Sequence, residues 1–121
     1  MRDVLESGSW SSNIAAFDGR NKMRPTRLEV LGASREFDSD YWIEDGLLLS
    51  GIDLEPNRDR NPEVQIMLQS RSANAHLTHS VSEVKRLSLQ TTLGKDECLE
   101  IEDSDGNLTI MRFEHNCIDC P

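Results

Sequence analysis

The chain predicts an all-β, mainly antiparallel fold, a small barrel or strongly curled sheet with one short N-terminal helix. Three observations carry that expectation. Apolar residues alternate with polar ones in short runs, as in EVQIMLQ at 63–69 and LEIED at 99–103. Asp105-Gly106 stands between two such runs, and Asp-Gly is a strong hairpin signal because glycine takes positive φ without a Cβ clash. Helical spacing occurs in one place, near the N-terminus.

Length and composition set the frame. A chain of 121 residues is one domain by size, 1–121, with 1–8 read as an arm and 115–121 as a tail. It can bury about two-thirds of its unfolded surface, enough for a core without metal or disulfides. Hydrophobic residues make up 36% and charged residues 29%, which separates it from disordered chains. No apolar run approaches the ~20 residues of a membrane helix, and MRDVLESGSW lacks the apolar block of a signal peptide. The expectation is a cytoplasmic protein with no membrane partner. The net charge is -9, from 22 acids against 13 bases. Phosphate backbones are held by basic surfaces. Here the bases (Arg20, Lys22, Arg24, Arg27; Arg58, Arg60; Lys85, Arg86) are scattered among acids, so no nucleic acid is expected.

The elements follow in order. In SWSSNIAAFD, Trp10, Ile14 and Phe17 share one helical face; Ser or Asn caps the start and Gly19 stops the helix. A basic loop, GRNKMRP, leads to a strand at Arg27–Gly32. Residues 33–40 read as an acidic loop and 41–44 as a short aromatic strand. Gly46 turns the chain into a strand from Leu47 to Leu54, where Gly51 marks a bulge or bend. After a proline-bracketed loop, Val64, Ile66 and Leu68 point inward from the next strand. Strands at 76–81 and 83–91 precede a turn at Gly94.

The last hairpin, 97–114, organises the rest. A two-residue turn pairs Ser104 with Asn107 and sets Ile101 opposite Ile110 and Leu99 opposite Arg112. Leu99, Ile101, Leu108 and Ile110 then form the core face around Gly106. Cys98, Glu100, Glu102, Thr109, Met111 and Phe113 take the outer face.

This order of elements is similar in architecture to Sm-like and SH3-like barrels, without a nucleotide-binding signature matching the Sm motif. The Trp10 helix, LEVLG at 28–32, Gly46 with Leu49 and Gly51-Ile52, LTH at 77–79 and LEIEDSDGNLTIMRF at 99–113 carry a closer likeness. On these, the chain resembles a bacterial family of small β domains filed as a domain of unknown function. That resemblance implies no activity.

Each candidate site has a plainer reading. His115, Cys117, Cys120 and Cys98 are the residue types of a tetrahedral zinc site. Structural zinc usually takes ligand pairs from two loops, whereas Cys98 is mid-strand, so ordinary thiols and no metal are expected. His76 and His79, three apart in a strand, face opposite ways and make no ligand pair. Asp103-Ser104-Asp105-Gly106 has part of a calcium-loop pattern but runs straight into a returning strand. Asp38, Asp40, Glu44 and Asp45 read as a solvated acidic loop, with a catalytic pair or a cation site as the alternatives. No nucleophile elbow or phosphate-binding glycine loop is present. The sequence therefore points to a non-catalytic binding or assembly module. It would have no cofactor, and its partner would be an unknown protein or a second copy. An Sm-like RNA-binding ring protein and an enzyme with an acidic site are the alternatives.

Overall fold

In a computed structural model, the protein is described over residues 2–32, 41–57, 59–72 and 74–113, with backbone alone for 41–45. The strands are β1 (Arg2–Leu5), β2 (Pro25–Leu31), β3 (Tyr41–Glu55), β4 (Glu63–Gln69), β5 (His76–Val81), β6 (Val84–Thr92), β7 (Lys95–Asp103) and β8 (Leu108–Phe113). A single-turn 3-10 segment, Ser7–Ser9, leads into the helix α1, Trp10–Asn21. The described strands form one sheet of order β1-β6-β7-β8-β2-β3-β4-β5, antiparallel at every pairing. The mainly antiparallel β class with one short N-terminal helix is thus the observed one.

The sheet cannot be flat. β5 is eighth in the order and β6 second, yet only Ser82 and Glu83 join them. Six strand spacings in a flat sheet would span about 29 Å. Three Cα steps reach at most about 11 Å. The sheet therefore curls until its two ends approach. Glu83 turns the corner at φ 54°. Its carbonyl accepts from Ser104 N at 2.8 Å, and Val84 N donates to the Pro62 carbonyl at 2.9 Å.

The concave face holds the core. Val64, Ile66 and Leu68 of β4 are fully buried there, as the alternation in EVQIMLQ predicts. They meet Leu28, Leu49, Leu87, Leu99, Ile101 and Met111. Trp10, Ile14 and Phe17 bring α1 onto the same core, and Phe17 lies 5.6 Å from Phe113, ring centre to ring centre. Each such side chain contributes roughly 1.5–3 kcal/mol when fully buried.

Four expectations need correction. Residues 2–5 are not a loose arm: they pair with β6, Arg2 opposite Gln90 through Leu5 opposite Leu87. Trp10 Nε1 donates to the Leu5 carbonyl at 3.0 Å and ties this strand to the helix. Gly19 does not stop the helix, which runs on to Asn21. A mid-helix glycine costs about 1 kcal/mol, and tertiary bonds of Arg20 and Asn21, described below, outweigh that. The reversal falls instead at Met23, φ 66°. The aromatic run at 41–44 and the strand after Gly46 are one long strand, β3. The expected irregularity is there: the β3–β4 register shifts between Leu49 and Gly51. The helix end docks on that bulge. Asp18 accepts from Ile52 N at 3.0 Å, and Lys22 Nζ donates to the Ser50 carbonyl at 2.9 Å.

The fourth correction is the hairpin register. Leu99 lies opposite Met111 and Ile101 opposite Thr109. The inner face of β8 is thus Thr109, Met111 and Phe113, while Leu108 and Ile110, the latter still buried, lie on the convex face. The cause is the loop. Asp103 N donates to the Asn107 carbonyl at 3.0 Å, which leaves three residues, Ser104 to Gly106, in the turn. Gly106 takes the left-handed position, φ 87°. The Asp103 carboxylate selects this turn, accepting from Asp105 N at 3.0 Å and Asn107 N at 2.9 Å.

The β6–β7 hairpin has a two-residue turn, Leu93-Gly94, with φ 54° and 80°. Such a turn favours Asn-Gly, and Leu93 is 99% exposed, so its side chain gains nothing from packing. Leu93→Asn is expected to stabilise the protein by about 1 kcal/mol, read as a higher urea midpoint with unchanged slope. An unchanged or lower midpoint would contradict this account of the turn.

Candidate functional site

The helix plugs one end of the curled sheet. At the other end lies a cleft of about 370 Å³. One wall is the C-terminal half of β5 with the corner that follows, including His79, Ser80 and Glu83. The facing wall is Val30 and Thr109, adjacent across the β2–β8 pairing, with the Asp103–Asn107 turn above them. The cleft exists because β5 has a sheet neighbour on one side alone: it pairs with β4, and no described strand pairs with its other edge.

The electrostatics of this cleft are one-sided. Glu83, Asp103 and Asp105 line it, and among the described residues no Lys or Arg does. Asp103 is occupied with its own turn. Glu83 has Arg60 Nε at 4.0 Å, a loose exposed pair that is worth little. Asp105 is exposed at the tip.

His79 sits opposite Ile66 on the inner face of β5, half-buried at the cleft wall. Burial holds its imidazole below the ordinary histidine range, because the charged form loses water. Its folded pKa is thus below its unfolded one, about 6.5. The associated stability is complete above that value and is lost as pH falls through the folded pKa. Replacing His79 with Gln is expected to flatten the fall in stability below about pH 6.5, measured by urea titration at several pH values. An unchanged slope would mean that His79 does not titrate on unfolding. His76 lies on the opposite face and is exposed, so the two histidines do not converge.

The other sequence candidates fare differently. The bases of the loop are paired within the chain, although Arg20 and Lys22 stay exposed. Arg20 makes a two-pronged pair with Asp96, Nε to Oδ2 at 2.8 Å and Nη2 to Oδ1 at 3.2 Å. Asn21 Nδ2 adds a bond of 2.7 Å to the same carboxylate. Arg24 donates to the Asp96 carbonyl at 2.9 Å and lies 4.1 Å above the Phe113 ring. Lys22 pairs with Asp18 at 3.0 Å. Burial pushes the Asp96 carboxyl up, but hydrogen bonds from Arg20 and Asn21 and the charges of Arg20 and Arg24 prevail and hold it below the usual range. This cluster fastens α1 to the β6–β7 hairpin.

Cys98 is buried on the convex face beside Arg112, its thiol 3.4 Å from Gln90 Oε1. Burial pushes the thiol up, which favours its protonated form. His115, Cys117 and Cys120 lie outside the described residues, as do Asp38 and Asp40 and the side chains of Glu44 and Asp45. Among the described residues, no three His, Cys, Asp or Glu side chains gather to hold a metal ion, and no helix is long and apolar enough to cross a membrane.

Sequence reasoning missed the β5 edge. HLTHSV reads as an ordinary strand, and nothing local says that it ends the sheet. The absence of charge and proline from 76–81 was the available signal. Compared with known proteins, the chain matches no family model, no curated protein and no solved structure.

Proposed function

We propose that the chain is a non-catalytic binding or assembly module that receives a protein partner on the open edge of β5. The observation that supports this is the contrast between the two edges of the sheet. β1 is four residues long and carries Arg2 and Asp3. Short, charged edges are how sheets avoid unwanted pairing. β5 is six residues long, keeps an unbroken register with β4, and contains no Lys, Arg, Asp, Glu or Pro. An edge left without such guards is suited to taking an added strand. We read the curled sheet as a small barrel left open beside β5. An Sm-like RNA-binding role draws no support from Arg20, Lys22 and Arg24, which are engaged within the chain.

Thr78 and Ser80 are exposed on β5, so Thr78→Lys with Ser80→Lys guards the edge at little cost to folding. Cross-linking in cell extract and light scattering of the pure protein are compared between wild type and variant. The variant is expected to lose a cross-linked partner, or to fall to a lower mass if the partner is a second copy. Identical cross-links and identical mass would remove the proposal.

A further inference from the structure

We infer that the segment received on β5 is an extended peptide from another protein, bearing a basic side chain that enters the acidic cleft beside Ser82. This rests on the edge-pairing reading above and adds the chemistry of the partner. An added strand bonds through its backbone, and alternate side chains then point to one face. Along the C-terminal half of β5, that face opens on the cleft. At about 370 Å³ the cleft is at the small end of ligand pockets. It suits one or two side chains of a strand rather than a whole folded element. The wall that contains Val30 and Thr109 takes an aliphatic stem, and Glu83 and Asp105, which also line the cleft, take its charged end. Asp103 adds negative potential but keeps its hydrogen bonds to the turn. A second copy of this chain is the poorer fit, since it carries a net charge of -9 and would bring the same acids to the joint.

The test uses the whole chain and fluorescent ten-residue peptides of alternating Thr and Lys, read by anisotropy. Comparison peptides carry Glu in place of Lys, or backbone N-methyl groups at every second residue in either of the two registers. The Lys peptide is expected to bind saturably, with about tenfold weaker binding for the Glu peptide. Methylation in one register removes binding and in the other leaves it. Glu83→Gln with Asp105→Asn is expected to weaken the Lys peptide about tenfold while the melting temperature stays close to wild type. Asp103 is left intact because it builds the turn. Equal binding of Lys and Glu peptides, indifference to methylation in both registers, or no binding of the Lys peptide would each overturn the inference. If the Lys peptide fails but the lysine-guarded β5 variant still loses a cross-linked partner or mass, the basic peptide is wrong and the edge reading stands. If both fail, both are wrong.

Discussion

Met111→Asp is expected to leave no folded protein, while Leu108→Asp folds and loses about 1 kcal/mol or less. Met111 is fully buried opposite Leu99, against the helix-covered core. A carboxylate there must give up its water with no cation beside it. That costs several kcal/mol, on the scale of the whole 5–15 kcal/mol that holds a domain together. Leu108 sits opposite Glu102 on the convex face and is only partly buried. The pair is a direct assay of the hairpin register, because a two-residue turn would exchange the two outcomes. Circular dichroism with urea titration reads it. If Leu108→Asp proves the unfolded one, the three-residue loop set by Asp103 is wrong.

Asp96→Ala is expected to cost about 2–3 kcal/mol, a fall of roughly 10 °C in melting temperature. The carboxylate accepts three bonds, two from Arg20 and one from Asn21, and its side chain is 6% exposed. Asn21 is 2% exposed and would lose the acceptor of one amide hydrogen while keeping its bond to the Phe17 carbonyl. Arg20 is half-exposed and recovers water, which keeps the cost below that of a fully buried pair. The pH dependence has a definite sign. With its folded pKa depressed, Asp96 contributes fully above its unfolded value, about 3.9. That contribution is lost as pH falls through the lower folded value. Wild type and Asp96→Ala should therefore converge in stability as acid is added below pH ~4. A constant gap between them down to pH ~2 would show that the carboxylate's charge is not what stabilises the helix end.

These two sites mark where the sequence was legible and where it was not. The alternation in EVQIMLQ reports its own burial, since a half-buried strand writes its period into the side chains. Trp10, Ile14 and Phe17 do the same for the helix. The hairpin was recognisable but one residue out, because Asp-Gly is compatible with two loop lengths. The choice depends on the Asp103 carboxylate bonding to Asp105 N and Asn107 N, which hydropathy does not record. RDVL is too short for its period to declare a strand, and its partner lies more than 80 residues away. The helix end passes Gly19 because Asp96, far along the chain, holds Arg20 and Asn21. That β5 ends the described sheet is still further from local reach, being a property of pairing order. Most of the strands could be read, β1 excepted, but their order, which creates the candidate site, could not.

That order also dictates when the molecule can assemble. β1 needs β6, and β2 needs β8, the last described strand. During synthesis the helix and the strands β1 and β2 emerge before any of their strand partners, β3, β6 and β8, has been made. Local hairpins, β3–β4–β5 and β6–β7–β8, can form as they appear. The arch that joins them across β2 and β8 closes only once β8 has been made. Such long-range closure is slow, since loop entropy is spent before the contacts repay it. The apolar faces of α1 and β2 are thus incompletely covered until β8 has been made, and the nascent chain is most prone to aggregate before that point.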